Sequence, residues 1–361
     1  MPSERRDIFY AVDWKPDVEL LLQSEIEDYC VKKAGSCINW DASKQVVCLY
    51  YMTKVLRELE RQGFRSSKPH LQKYMSWISH HLSDLGDRNP LLHHPWAGIL
   101  ASEDWDTYIE NFSSKGPVER AIYRLCSHLA VILRGEVDPL DLLFNQGLAQ
   151  DIYMDEIVVV TGKRVAAFVD LLCHKNPGMD ILQVGAGTGS ATDPILSAIS
   201  KQQGKPSQNS ARYNSYTFTD ISPSFFEKAQ SRFAAHADQM RFKTLDIEQD
   251  PAQQGFTPGS YDLVVAAMVI HTTANIKESL QHVRSLLKPG GRFVLIEQTN
   301  KQSTVADCLW GTLPGWWRAT EKDRKWTPLY SQEEWVHASN RQASPTSSLQ
   351  LLITNSSKTT L

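Results

Sequence analysis

The chain has 361 residues, of which 42% are hydrophobic and 22% charged, an ordinary globular mixture. That is enough chain for two domains and enough apolar content for a sizeable core, which excludes a wholly disordered, collagen-like or small disulfide-stapled protein. With 38 basic against 41 acidic residues, a net charge of -3, it also lacks the basic footprint of a nucleic-acid binder or a polybasic membrane anchor.

The amino terminus, MPSERRDIFYAVDW, has no apolar core of the kind a secretory signal needs. The longest apolar run, Leu263 to Ile270, is far short of the ~20 residues that span a bilayer, so a soluble, cytoplasmic protein is expected. Asp41 is a good N-cap, and Gly63 closes the helix expected between them, with Val46, Leu49, Tyr50, Leu56 and Leu59 at helical spacing. A second helix begins with Pro69 in its first turn and ends at Gly86, with Leu71, Tyr74, Met75, Ile78, Leu82 and Leu85 on one stripe. A third is expected from Pro117 to Gly135, with Ile122, Leu125, Leu129 and Leu133 inward. Amphipathic helices need a partner to pack on. The pattern therefore predicts a helical domain over residues 1–145.

From Asp180 the rhythm changes to short β-like runs, Asp180–Val184, Tyr216–Thr219, Met240–Thr244, Tyr261–Ala267 and Gly291–Glu297, alternating with helices near Ala191–Gln202, Pro223–Ala235 and Ile276–Leu287. Such alternation predicts an α/β domain, over residues 146–338, built on a doubly wound, mostly parallel sheet. Beyond it, residues 339–361 read as a poorly ordered Ser/Thr-rich tail around one strand-like run, Leu349–Thr354. Six cysteines without CxxC spacing read as buried reduced thiols. The adjacent pairs His80–His81 and His93–His94 lack zinc-ligand spacing and read as surface positions, so no metal is expected.

The strongest local signal is ILQVGAGTGSAT, an apolar strand running into Gly185, Gly187 and Gly189 before a helix. Glycines there remove Cβ atoms so that a ligand can approach the backbone at the carboxyl end of the first strand. A dinucleotide fingerprint would put glycine at position 190, where this chain has Ser190. GxGxG followed by an acidic strand end is the pattern of enzymes using S-adenosylmethionine (SAM). Asp220, closing the second strand, is placed to accept from ribose hydroxyls, and Asp246, closing the third, from the adenine amino group. The residues beside them, Ile221 and Ile247, and Gln183 before the loop are assigned to the same cofactor pocket. The fourth run ends at His271 and the fifth at Glu297, on strands that commonly lie side by side.

Taken together, ILQVGAGTGSAT, TFTDISPSFFEKAQ, FKTLDIEQDPAQQGF, YDLVVAAMVIHTT and LLKPGGRFVLIEQT resemble the carbon-methylating domain of fungal reducing polyketide synthases, a class I SAM-dependent methyltransferase. WKPDVELL, LRGEVDPLDLLF and DIYMDE are similar to its amino-terminal half, and LPGWW to a late substrate-side segment. The resemblance implies a Rossmann-like class I methyltransferase domain with an N-terminal helical lid over the SAM-binding sheet. It also implies methylation of the α-carbon of a β-keto polyketide, small or carrier-protein-bound, by a histidine–glutamate pair. His271 and Glu297 fall on those two positions. Tyr153 and Trp316 are substrate-side candidates. Two departures stand out: Gln183 occupies a position that is usually acidic, and the likeness ends after Trp335.

A neutral histidine takes up a proton readily near pH 7, and a carboxylate behind it fixes its tautomer and stabilises its charged form. The same base serves a phenol or enol, so O-methylation of a released product remains an alternative to C-methylation. A non-catalytic methyltransferase-like module is a second alternative, and a nucleotide-dependent oxidoreductase, disfavoured by Ser190, a third. The chain reads as a free-standing relative of the megasynthase domain.

Overall fold

The computed structural model describes residues 15–35, 42–93, 96–101, 105–144, 148–153, 156–200, 211–340 and 348–351. The helical part comprises α1 (Gln23–Ala34), α2 (Ala42–Arg61), α3 (Pro69–Leu85), α4 (Trp96–Ala101), α5 (Trp105–Ser114), α6 (Pro117–Ser127), α7 (Leu129–Arg134), α8 (Pro139–Phe144) and α9 (Leu148–Tyr153). A long α10 (Glu156–Lys175) leads into the sheet. Asp41, the expected cap of α2, and Asn145, the expected domain boundary, lie outside the described residues.

The periodic stripes bury as their spacing dictates. Leu49, Leu56 and Leu59 of α2 pack against Leu71, Tyr74 and Ile78 of α3 and Ile122 and Leu125 of α6 in one apolar cluster, and Val46 is fully buried as well. The helix expected from Pro117 to Gly135 is broken at His128, whose ring Nδ1 sits 2.8 Å from the Arg124 carbonyl oxygen. A side chain competing for the carbonyl that the next helical N–H would use interrupts the ladder. Gly135, in left-handed conformation, then closes α7.

The sheet contains β1 (Asp180–Val184), β2 (Ser215–Asp220), β3 (Met240–Thr244), β4 (Tyr261–Ala267), β5 (Leu287–Ile296) and β6 (Ser348–Leu351). Its order is β3-β2-β1-β4-β5-β6, with every pairing parallel. Strand order reverses between β1 and β4, and ligands of such sheets bind outside the carboxyl ends at that switch point. Alternate residues serve opposite faces: Ile181, Phe218, Val265 and Val294 join Phe168 of α10 and Leu196 of α11 (Thr192–Ile199). Leu182, Val264 and Leu295 meet Leu280 of the helix Ile276–Leu286 and Trp335 of Gln332–Asn340. Burial on both faces accounts for the nearly unbroken apolar runs of the central strands.

The strand-like run expected over Leu349–Thr354 forms β6 (Ser348–Leu351), in parallel register beside β5 with Phe293 pairing Leu349. The helix before it continues to Asn340, past residue 338, while 341–347 and 352–361, which carry most of the expected tail, lie outside the described residues. In addition, the helix Thr304–Trp310, which follows β5, sends Val305, Cys308 and Leu309 into the cluster of the amino-terminal helices. Cys48, Cys126 and Cys308 thereby meet, their sulfurs within 4.8 Å of one another. The five described cysteines are all buried and free; Cys37 lies outside the described residues. His81, expected at the surface, is instead half-buried, with Nε2 2.8 Å from Thr304 Oγ1. Burial lowers its imidazole to about 4.

Candidate active site

All three loop glycines adopt left-handed conformations, with φ of +60° at Gly185, +52° at Gly187 and +79° at Gly189. Their surroundings differ. A Cβ at Gly185 would lie 2.5 Å from Val269 Cγ2, and one at Gly189 2.9 Å from the Phe233 ring, so those two glycines serve packing. A Cβ at Gly187 would meet no protein atom within 4 Å. The Gly187 N–H is donated to the Asp220 carboxylate, whose Oδ2 accepts it at 2.9 Å while Oδ1 accepts the Ser222 N–H at 2.9 Å. Each oxygen keeps a second lone pair. Ile221 beside it is 60% exposed, although apolar, whereas Ile247 is buried against the sheet. Asp246 Oδ1 accepts the Glu248 N–H at 3.0 Å, and Gln254 pins the Asp246 backbone through both its N–H and its carbonyl.

Gln183 is buried beneath the loop, and its Oε1 accepts hydrogen bonds from Thr192 Oγ1 at 2.7 Å and the Tyr216 hydroxyl at 2.6 Å. Two O–H donors aimed at one oxygen make the position equally suited to a carboxylate. We expect Gln183→Glu to fold and to bind SAM several-fold more tightly, because a charge gained near a cationic ligand typically contributes on the order of 1 kcal/mol. Calorimetric titration with SAM measures this. An unchanged affinity would show that the hydroxyl pair, rather than charge, is what the loop needs.

His271 and Glu297 meet at the carboxyl ends of adjacent β4 and β5. The imidazole Nδ1 lies 2.5 Å from Glu297 Oε2, and Glu297 Oε1 accepts the backbone N–H of Val269 at 3.2 Å and of His271 at 3.3 Å. Both side chains are buried. The turn that makes this possible passes through Met268, which adopts φ +56°, a conformation costly for a side-chain-bearing residue and found where tertiary structure over-determines the backbone. Nothing in the sequence marks Met268. With Nδ1 turned to Glu297, Nε2 is the ring atom left to meet an acceptor, and it has no hydrogen-bond partner among the described residues.

Trp316 sets its ring edge-on to His271, with centroids 5.6 Å apart and planes at 72°. It is held there by its indole N–H, which donates to Asp307 Oδ1 at 2.9 Å; the Thr327 hydroxyl donates to the same oxygen at 3.2 Å. Tyr153 ends α9, and its side chain lies outside the described residues. Burial pushes the Asp307 carboxyl up to about 8, against the opposing effect of those two hydrogen bonds. A carboxyl raised by folding contributes stability that is complete below the ordinary carboxylate range and is lost as pH rises through about 8. We therefore expect wild-type stability to fall by about 1.4 kcal/mol per pH unit from this group between those limits. Asp307→Asn, which keeps an acceptor for Trp316, removes that component, so its melting temperature varies less across the same pH range. Parallel pH dependences would place the titration elsewhere.

Residues 182–293 match the family model of a methyltransferase domain. The chain is 32% identical over 350 residues to the highly reducing polyketide synthase NEC1 of Pyricularia oryzae, covering 90% of this chain and 11% of the synthase. It is 34% identical over 337 residues to the highly reducing polyketide synthase otaA of Aspergillus niger, covering 91% of this chain and 13% of that one. The chain thus spans only a small fraction of the curated relatives it matches. Among solved structures it superimposes on the trans-methyltransferase CalH in complex with SAH at a TM-score of 0.66, with 28% identity over 89% of this chain and 84% of that one. The CMeT domain of the citrinin polyketide synthase shares the fold at a TM-score of 0.69 and 20% identity, over 88% of this chain and 87% of that one.

The parallel sheet with its reversal of strand order, the glycine loop and these matches make the chain a SAM-dependent methyltransferase of the class I fold. More particularly, it is homologous to one segment of the fungal highly reducing polyketide synthases. The residues present fit the cofactor: Gly187 leaves open space where a Cβ would stand, the Asp220 carboxylate that accepts its N–H keeps spare lone pairs, and Ile221 beside it is exposed. Among the described residues no helix is long and apolar enough to cross a membrane.

Proposed function

We propose that this protein methylates the α-carbon of a β-keto polyketide intermediate, carrier-bound or released, with His271 as the base and Glu297 as its orienting partner. The observation that carries the proposal is the buried 2.5 Å contact between His271 Nδ1 and Glu297 Oε2 at the rim beside the glycine loop. A carboxylate accepting at Nδ1 selects the tautomer whose Nε2 lone pair takes a proton. When bound, SAM supplies an electrophilic methyl group on a sulfonium. His271 Nε2 would take the proton from the carbon between the two carbonyls, the electron pair left there would form the new bond to the methyl as the methyl–sulfur bond breaks and leaves its pair on a neutral thioether, and Glu297 would stabilise the imidazolium. Trp316, edge-on to the ring, excludes water from one side of the base. Gly187, Asp220, Asp246 and the residues beside them hold the methyl donor.

Incubation with methyl-labelled SAM and a panel of β-ketoacyl thioesters and hydroxylated polyketides, read by mass spectrometry, tests this reading. The expected product carries the label on the α-carbon of the thioester. Label on oxygen would reassign the acceptor, and binding of SAM with no product from any member would favour a non-catalytic module.

A further inference from the structure

The guanidinium of Arg324 is buried behind the turn that carries His271, on a segment distant in sequence. Its Nη1 donates to the His271 carbonyl at 2.8 Å and to the Pro328 carbonyl at 3.3 Å. Its Nη2 donates to the carbonyls of Thr273 at 2.7 Å and Ala274 at 3.0 Å. Glu321 Oε2 accepts from Nη2 at 2.5 Å and from Nε at 3.0 Å, neutralising the charge. Through Oε1 the same carboxylate accepts the Ile276 N–H at 2.8 Å, where the helix Ile276–Leu286 begins. The short 3-10 turn Ile270–Thr272 ends before that helix starts, so the carbonyls of residues 271, 273 and 274 need donors from elsewhere. One planar fork with five N–H groups reaches all three, the Ala274 carbonyl also accepting the Thr320 N–H at 3.0 Å and the Thr320 hydroxyl at 2.9 Å; an ammonium, with three donors at one point, cannot span the set.

We infer that Arg324 is a positioning residue for catalysis, anchoring the His271 backbone from the side opposite Glu297. His271 is then held at three points: its ring and N–H by Glu297, and its carbonyl by Arg324. Without the last, the residue can turn about its own backbone while the glycine loop and Asp220, which Arg324 does not touch, stay in place. This inference rests on His271 being the base.

The test uses the full 361-residue chain. Arg324→Gln and Arg324→Lys are assayed with a β-ketoacyl N-acetylcysteamine thioester and methyl-labelled SAM, in wild-type and His271→Ala backgrounds, with SAH affinity measured alongside. We expect unchanged SAH affinity and acceptor KM, with kcat lowered about 10²-fold by Arg324→Gln, the scale of a misplaced reacting group, and less by Arg324→Lys. In the His271→Ala background the same change should add little, because Arg324 acts through that residue. Wild-type kcat in a folded Arg324→Gln protein would overturn the inference, as would lost SAH binding or an equal further loss in the His271→Ala background. Should Arg324→Gln fail to fold, Arg324→Lys and Glu321→Gln, which loosens the fork from its anchor, carry the same comparison. A His271→Ala enzyme with wild-type turnover would remove the base itself, an outcome separate from an inactive His271→Ala beside a fully active Arg324→Gln.

Discussion

His271→Ala should bind SAM as the wild type does and turn over 10²–10⁴-fold more slowly, roughly the effect of losing a general base. The ring lies at the ends of β4 and β5, bonded to Glu297 rather than to the glycine loop, so its removal takes nothing from the cofactor cradle. Glu297→Gln should cost less in turnover, since the imidazole still adopts the productive tautomer part of the time. It should cost more in stability, because an amide has one acceptor oxygen and cannot serve both the imidazole Nδ1–H and the N–H groups of Val269 and His271 around the strained Met268 turn. Removing both side chains should slow turnover little beyond His271→Ala alone, as residues acting as one unit do. Turnover and SAM titration of the three variants check this. Near wild-type turnover in a folded His271→Ala protein would rule out base catalysis by this pair.

Gly187→Val should leave the protein folded and abolish SAM binding. No protein atom beyond its two chain neighbours lies within 4 Å of a Cβ at this position, so the first atom of the new side chain meets no packing in the free protein. Its φ of +52° costs a β-branched residue about 1–3 kcal/mol of strain, within what a domain of this size tolerates. The isopropyl group would take up open space beside the Gly187 backbone, where the methyl donor is proposed to approach. Melting with and without SAH reads both effects at once, since a ligand stabilises only what it binds. Retained stabilisation by SAH would move the cofactor away from this loop.

The contrast among the three glycines shows where sequence reading stops. GAGTG marked a close approach of something to the backbone, but only packing distinguishes Gly185, pressed by Val269, and Gly189, pressed by Phe233, from Gly187, which is open. Gln183 likewise read as a lost charge; its bonds to Thr192 and Tyr216 come from a helix start and a neighbouring strand that meet only in the fold.

By itself the sequence determined the succession of five strands along the chain from Asp180 to Ile296, the glycine loop, the acidic strand ends, and the places of His271 and Glu297 after the fourth and fifth strands. All of these are written in short-range signals: apolar runs bounded by turns, glycines where φ must be positive, and polar residues at strand ends. Only the tertiary structure decided which distant groups close around them. Trp316 reaches His271 because Asp307, buried where its carboxyl stays protonated near neutrality, takes its indole N–H. Arg324 meets three carbonyls some fifty residues before it, 53 in the case of His271. The helix Thr304–Trp310 belongs to the sheet by connection and to the amino-terminal helices by packing, and it brings Cys308 to Cys48 and Cys126. Such contacts leave no periodicity in the chain, because each is fixed by the mutual burial of elements whose positions depend on the whole core.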